Sequence, residues 1–306
     1  MRIALKRRFA VIISYFLIYV IWGSTYYFIG MALQGLPPFL LGALRFTSAG
    51  LLLLLLCAFH HEHLFRKELV CCSAVSGIVL LFVDMAVIML AQRYVSSSVV
   101  AIVASSTAIW IMLLDVPMWK RNFRRIATVA GVLLGFVGVG MLYVEQLGIE
   151  STDIPHGEYG ILILMAGCIS WSLGSLYAKY RSLAVENVNG FAGSAWQMLF
   201  ASLMFWLCVV VSGEWQEVSF QSVPASAWWS LLYLITFGSL LAYSAYIWLL
   251  KVRPATEVAT HAYVNPVVAV IIGGLGGEKI TMIQLTGLAV ILASVMLVNK
   301  KDKKHG

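Results

Sequence analysis

Long, uninterrupted apolar runs constrain this chain more than any other feature. Between Leu36 and Phe59 the only charged residue is Arg45, and residues 51–56 are consecutive leucines. A bilayer core about 30 Å thick needs roughly 20 apolar helical residues. Barrel strands would alternate polar and apolar residues, which these runs do not. We therefore predict an all-α integral membrane protein with spans at about 9–29, 36–58, 71–92, 97–119, 124–143, 158–180, 190–212, 226–250, 256–275 and 281–299.

The composition supports this reading and excludes other classes of protein. Hydrophobic residues make up 61% of the 306 residues and charged residues only 11%, whereas soluble domains average about 25% charged residues. A soluble enzyme, a disordered chain and a nucleic-acid-binding domain are thereby excluded. The five cysteines lie in or beside apolar runs, and no metal-ligand spacing is present. We expect neither a metal nor a cofactor.

The lysine and arginine residues predict how the chain is oriented. With a cytoplasmic N-terminus, 18 of the 21 lie in inner segments, and only Arg93 and Lys279 lie in outer loops. Basic residues concentrate on the cytoplasmic side of membrane proteins. The basic N-terminal residues precede an apolar stretch without a recognisable cleavage site, which favours a retained first span. Ten spans then place both termini in the cytoplasm.

The two halves of the chain resemble each other weakly. The segment Ser105-Ser106-Thr107-Ala108-Ile109 aligns with Tyr263-Val264-Asn265-Pro266-Val267, and Trp22 corresponds to Trp171. Five spans per half is an odd number, so the second half enters the membrane from the opposite side. We therefore predict two inverted five-helix repeats, 1–148 and 149–306. Many secondary transporters build a midplane site from such repeats.

Three short motifs connect the chain with a known family. These are Ile21-Trp22-Gly23-Ser24-Thr25-Tyr26, Arg45-Phe46, and Tyr263-Val264-Asn265-Pro266-Val267-Val268-Ala269 followed by Gly276-Gly277-Glu278. They resemble motifs of the drug/metabolite transporter superfamily, and the whole chain is similar to its ten-helix EamA-like permeases. The resemblance implies a bacterial inner-membrane exporter of small metabolites, often amino acids or drugs. It also implies a cavity lined by spans one, three, four, six, eight and nine, with spans five and ten packed at the side.

Span four departs from the pattern of this family. Ala108 stands where the second half has Pro266, and Asp115-Val116-Pro117 replaces the glutamate that usually ends this span. We expect the break in this helix to be lost or moved toward Pro117.

Ionisable residues inside the spans are functional candidates, because each costs about 2.5–3.5 kcal/mol to insert. Arg45 and Asp84 lie at similar depths and could pair. Asp84 is then either a proton-coupling carboxylate or half of a structural ion pair. His261 is a proton carrier, a substrate ligand or a packing residue. Pro266 removes one backbone donor and leaves carbonyl groups without a hydrogen-bond partner. Asn265 either donates to these carbonyl groups or binds substrate.

Aromatic and hydroxyl side chains recur at helical spacing on several spans. Aromatic walls with a few hydroxyl groups suit an amphipathic or aromatic organic solute, while helix packing is the alternative role. The predicted cavity residues are Trp22, Ser24, Thr25, Tyr26, Ser105, Ser106, Trp171, Ser175, Tyr243, Tyr246, Tyr263 and Asn265.

These features predict a secondary active transporter rather than an enzyme. The chain has no phosphate-binding G-x-x-x-x-G-K-[ST] motif and so carries no ATPase of its own. We expect export of amino-acid-like or drug-like aromatic solutes by alternating access, coupled to protons. The partners are then the small-molecule substrate, the lipid bilayer and protons, with the chain a monomer or a homodimer and no nucleic acid bound. The alternatives are an importer or exchanger of the same fold, a channel, and a lipid-modifying enzyme.

Overall fold

The architecture is built from helices alone in the part of the chain that the structure describes. This computed structural model describes residues 2–62, 64–123, 126–148, 157–182 and 190–299. Eight helices are long and apolar enough to cross a membrane: α1 Arg8–Ala32, α2 Pro38–Phe59, α3 Lys67–Ala91, α4 Ser97–Leu114, α5 Ile126–Glu145, α6 Glu158–Arg181, α7 Gly190–Ser212 and α8 Ala225–Val252. Two shorter units follow: α9, formed by Ala255–Val258 and His261–Leu275, and α10, Met282–Asn299. The predicted all-α membrane fold with ten spans is confirmed.

Two helix pairs join the first half of the chain to the second. Helix α2 packs along α7, where the rings of Phe46 and Phe205 stack at 5.7 Å between centroids. Helix α5 packs along α10, where the Ser294 hydroxyl donates to the Gly131 carbonyl at 2.7 Å. Small residues at these contacts let the backbones approach closely, as is usual in membranes. The remaining helices surround the space between the halves.

Helical irregularities occur in corresponding helices of the two halves. π-Helical turns occur in α1 at Leu17–Ile21, in α3 at Gly77–Val83, in α6 at Ala178–Ser182 and in α8 at Leu234–Tyr243. Helices α1 and α3 occupy the same positions in the first half that α6 and α8 occupy in the second. This pattern is consistent with the predicted inverted repeat. Because π turns leave the regular hydrogen-bond ladder, they often mark functional sites.

Helix α4 is broken although it lacks the proline of its counterpart. It consists of Ser97–Ala104 and Thr107–Leu114, separated by a turn at residues 105–106. The Ser105 hydroxyl donates to the Ile102 carbonyl at 2.5 Å, which competes with the regular ladder. Pro117 lies in a 3-10 turn beyond the end of the helix. The break expected to be lost or moved is therefore present, and serines accompany it.

Close packing between α3 and α6 depends on a residue without a side chain. A Cβ atom at Gly174 would lie 2.8 Å from the Leu80 backbone nitrogen, whereas one at Gly140 would meet nothing within 4 Å. We expect Gly174→Ala to destabilise the protein by about 1–3 kcal/mol through overpacking. Gly140→Ala should be neutral or stabilise by up to about 1 kcal/mol, because alanine favours helix. Thermal unfolding in detergent measures both, and equal melting temperatures would contradict the packing argument.

Candidate cavity between the two halves

A cavity lies between the two halves of the molecule, and its empty space, open solvent included, is about 640 Å³. Its walls come from α1, α3, α4, α6, α8 and α9, the helices that the resemblance implies, and also from α2. The lining residues are Trp22, Thr25, Tyr26, Ile29, Arg45, Phe46, Leu81, Asp84, Met85, Ile88, Ala104, Thr107, Trp171, Gly238, Ser239, Tyr243, His261 and Asn265. No group of three metal-ligating side chains occurs among the described residues.

An aromatic cluster forms one wall of the cavity. The Trp22 ring contacts Trp171, Tyr246 and His261, with centroids 5.3, 4.9 and 5.4 Å away. The Trp22 indole nitrogen donates to the Gly238 carbonyl in α8 at 3.1 Å. The edge-to-face and tilted arrangements are those that aromatic quadrupoles favour. Trp22 thus joins α1 to α6, α8 and α9 at one point, and the Trp171 indole nitrogen has no acceptor in hydrogen-bonding geometry.

Asn265 and His261 lie on one face of α9, as their spacing predicts. We orient the Asn265 side-chain amide so that both its oxygen and its nitrogen have hydrogen-bond partners. The nitrogen then donates to the carbonyls of Ile18 and Tyr19, each at 2.9 Å. Those carbonyls belong to the π-helical turn of α1. The Asn265 oxygen accepts from Nδ1 of His261 at 3.2 Å. The same amide nitrogen lies 3.1 Å from the His261 carbonyl of α9, so the amide serves backbone groups of α1 and of its own helix.

This contact also defines the tautomer of His261. Because Nδ1 donates to Asn265, Nε2 of the neutral ring is an acceptor. Nε2 is buried and has no hydrogen-bond partner among the described residues. His261 lines the cavity and is 7% exposed. An acceptor without a donor is therefore available to a ligand or a proton at this position.

Arg45 and Asp84 line the same cavity but do not pair with each other. The Arg45 Nε donates to the Ser239 hydroxyl at 2.9 Å, and its Nη1 lies 3.9 Å from the Met85 sulfur. Within the described ranges, no hydrogen bond or ion pair involves the Asp84 carboxylate, which is 6% exposed. A Cβ at Gly167 of α6 would lie 3.3 Å from Oδ1 of Asp84, so the carboxylate approaches this helix closely. A basic and an acidic side chain therefore both line the cavity without direct contact between them.

Several predicted hydroxyl groups are engaged beside the cavity rather than in its lining. Ser24 contacts Tyr233, Ser175 contacts Tyr246, and each hydroxyl pair is 2.7 Å apart. Ser106 donates to the Cys168 sulfur at 3.7 Å. These contacts, like that of Ser105 within α4, join helices or turns. The side chain of Tyr263 lies outside the described part of the structure. Binding roles for these residues remain predictions.

Residues outside the predicted set also contribute to the cavity and its surroundings. Ser239 fixes the Arg45 guanidinium, and Thr107 lines the wall directly after the break in α4. Gln197 of α7 accepts from the Tyr243 hydroxyl at 2.6 Å and donates to Ser76 at 2.8 Å. A glutamine inside an apolar span is itself a signal, because it needs hydrogen-bond partners there.

A carboxylate binds α4 at one end of the cavity region. Glu278, in the connection between α9 and α10, binds the first turn of α4 through both of its oxygens. Oε1 accepts from the nitrogen and hydroxyl of Ser97, while Oε2 accepts from those of Ser98 at 3.2 and 2.5 Å. A Cβ at Gly273 would lie 2.6 Å from both Oε2 and the Ser98 hydroxyl. A negative charge at a helix N-terminus is stabilising, so this contact ties the two halves together.

A second glutamate caps another helix at the same end. Glu214, after α7, accepts from the Leu40 backbone nitrogen of α2 at 2.8 Å. Burial raises the pKa of this carboxyl group, while the backbone donors of α2 oppose that shift. The contact lies within the α2–α7 pair, outside the cavity walls.

The match to a family is continuous along the chain. A model described as the EamA-like transporter family matches residues 9–144 and again residues 158–300. The chain belongs to the EamA-like transporter family. Each match covers one half, as two copies of a five-helix unit would. The family is a membrane transporter family, which agrees with the ten-helix fold.

Relatives of this EamA-like protein carry transporter names. The "Uncharacterized inner membrane transporter YedA" of Escherichia coli K12 is 31% identical over 287 residues, covering 92% of this chain and 88% of the relative. The "Probable amino-acid metabolite efflux pump" of Salmonella typhimurium is 24% identical and covers 92% of each chain. A crystal structure with 20% identity and a TM-score of 0.67 covers 95% of this chain and 97% of its own, which shows the shared fold. The protein is therefore a multi-pass membrane transporter.

The contacts of Asn265 predict a structural role for its amide. Asn265→Ala would leave buried carbonyls of α1 without a donor, at about 1–3 kcal/mol for each unsatisfied group. We expect a lower melting temperature in detergent. Thr236→Ala is the control, because its exposed hydroxyl bonds only within α8. If Asn265→Ala melts at the same temperature as this control, the amide is not a structural group.

Proposed function

We propose that this protein exports small organic metabolites across the cytoplasmic membrane as a secondary active transporter. Its substrates are amino-acid-like or aromatic drug-like solutes, it works by alternating access, and protons drive it. The two units that move are 1–148 and 149–306, and both termini face the cytoplasm. The observation that carries the proposal is an aromatic cavity between the halves that contains an unpaired carboxylate, Asp84.

The chemistry of the cavity supports an organic substrate rather than a bare ion. Aromatic surfaces of Trp22, Tyr26 and Trp171 dominate one side. Flat apolar rings bind the apolar part of a solute, and a few polar groups orient it. A cation channel would instead need rings of oxygen ligands. The name of the Salmonella relative, an amino-acid metabolite efflux pump, supports export as the direction.

Asp84 supports proton coupling because a cavity carboxylate can hold or release a proton as its access changes. A charge inside a membrane span is costly, so its retention favours a role in transport. The lone acceptor Nε2 of His261 lies in the same cavity and gives a second place for a proton. Exchange of one proton for one solute follows if both compete for this site.

Untargeted metabolite profiling tests the function as a whole. The medium and cytoplasm of cells that overproduce the protein are compared with and without a protonophore. We expect selective enrichment of one compound class in the medium, and loss of that enrichment with the protonophore. Accumulation inside the cells would instead indicate an importer or an exchanger. No change in any compound would contradict the export proposal.

Asp84→Asn tests the coupling carboxylate. The amide keeps the size of the side chain but cannot exchange a proton, so we expect loss of proton-driven flux in proteoliposomes while solute exchange continues. Asp115→Asn is the matched control, because the Asp115 carboxylate accepts from the Tyr180 hydroxyl at 2.8 Å and does not line the cavity. Proton-driven flux at the parental rate in Asp84→Asn would remove Asp84 from the mechanism.

Glu278→Gln tests whether this contact closes one end of the cavity. The amide nitrogen of a glutamine is a donor and would face the donors of Ser97 or Ser98. The charge-assisted hydrogen bonds, each worth about 1.5–3 kcal/mol, would be lost. We expect a thiol reagent that cannot cross the membrane to label an Ile88→Cys variant about tenfold faster from outside intact cells. Position 88 lines the cavity.

The labelling is done in a background where the five native cysteines are serine. Glu214→Gln is the control, since it alters the other glutamate cap at this end without touching the contact between cavity walls. An unchanged labelling rate in Glu278→Gln, or an equal increase in Glu214→Gln, would contradict the closing role.

A further inference from the structure

The charge of Arg45 has no partner of opposite sign in this structure. The residue is 5% exposed, and its contacts are the Ser239 hydroxyl, the Met85 sulfur and the ring of Phe46, 5.0 Å away. None of these carries a negative charge. Within the described ranges, no carboxylate bonds to the guanidinium. A buried charge in a membrane span ordinarily pairs with an opposite charge, so the guanidinium is a candidate anion-binding group.

The guanidinium is fixed in the wall of the cavity. Nε is held by Ser239, so Nη1 and Nη2 remain as donors without an oxygen partner. Gly238 makes this position possible, because a Cβ there would lie 3.1 Å from Nη2 and 3.2 Å from the Thr25 methyl group. Arg45, Gly238, Ser239 and Thr25 all line the cavity. The guanidinium of Arg45 is therefore held in position before any ligand binds.

We propose that the transported solute carries a carboxylate group that binds to Nη1 and Nη2 of Arg45. The planar guanidinium fork matches the two oxygens of a carboxylate. The apolar part of the solute then lies against Trp22 and Trp171. This inference rests on the proposed transport function and specifies its substrate as an organic anion or the anionic end of a zwitterion.

The charge balance of the cavity favours a monovalent carboxylate over a phosphate. Arg45 is the basic side chain with a permanent charge in the lining, and Asp84 is an acidic side chain there. A dianion would exceed the one positive charge of Arg45. A carboxylate neutralises Arg45 alone, and an ammonium group on the same solute would lie favourably near Asp84.

A binding measurement on the purified full-length protein tests this assignment. The probes are 3-phenylpropionate, its neutral analogue 3-phenylpropionamide, and phenethylamine as the cation. Thermal unfolding in detergent is followed over a range of probe concentrations. We expect 3-phenylpropionate to stabilise the wild-type protein saturably, with the amide at least about tenfold weaker.

The variants separate the charge from its position. Arg45→Gln is expected to lose the preference for the carboxylate. Gly238→Ala keeps the arginine but displaces its fork, and is expected to weaken carboxylate binding about tenfold or more. Alanine is also the better helix former, so this variant tests the site if Arg45→Gln fails to fold. Gly140→Ala, far from the cavity, should bind like the wild type.

Four results would overturn the proposal. These are equal binding of the amide and the carboxylate, an unchanged carboxylate preference in both cavity variants, a preference for phenethylamine, and no response to any probe at millimolar concentration. Flux in proteoliposomes separates this inference from the proposed function. Carboxylate binding without flux leaves the Arg45 site intact and refutes transport of that solute, whereas flux without carboxylate preference refutes only the Arg45 site.

Discussion

The structure depends on satisfying backbone polar groups where no water is present. Regular helix satisfies them within each span, and an unpaired group costs several kcal/mol in hydrocarbon. The chain nevertheless departs from regular helix in α1, α3, α4, α6, α8 and α9. These are helices that line the cavity. The irregular backbone is tolerated there because side chains from other helices supply partners, as Asn265 does for the π-helical turn of α1.

The sequence predicted the features that depend on local composition. Apolar runs set the number of helices, and basic residues predict their orientation, because both are properties of short segments. Charged side chains in apolar runs are equally visible, so Arg45, Asp84 and His261 could be selected without a structure. All three line the cavity. Trp22 and Trp171, matched in the two halves by sequence, are in contact at 5.3 Å.

The remaining features depend on residues far apart in the chain. Glu278 and Ser98 are separated by 180 positions, and their contact follows from how the halves assemble. The π-helical turn Leu234–Tyr243 and the break in α4 have no proline within them to mark their position. Hydroxyl groups were the least predictable, because a serine in a span can face a cavity, a neighbouring helix or its own backbone. Ser239 contacts Arg45 of another helix, whereas Ser105 bonds to the backbone of its own helix.

The two ends of the cavity region are held by chemically different contacts. Glu278 brings a full charge to four donors at one end, whereas at the other the hydroxyls of Tyr19 and Thr260 form a neutral pair at 2.7 Å. The corresponding carboxylate of the first half, Asp115, bonds to Tyr180 instead of the first turn of α9. Charge-assisted bonds are about twice as strong as neutral ones. In the alternating mechanism that we propose, the outward-open and inward-open states must differ in free energy by only a few kcal/mol. A bound solute that bridges Arg45 and the aromatic wall would supply the energy to break the stronger contact, that of Glu278.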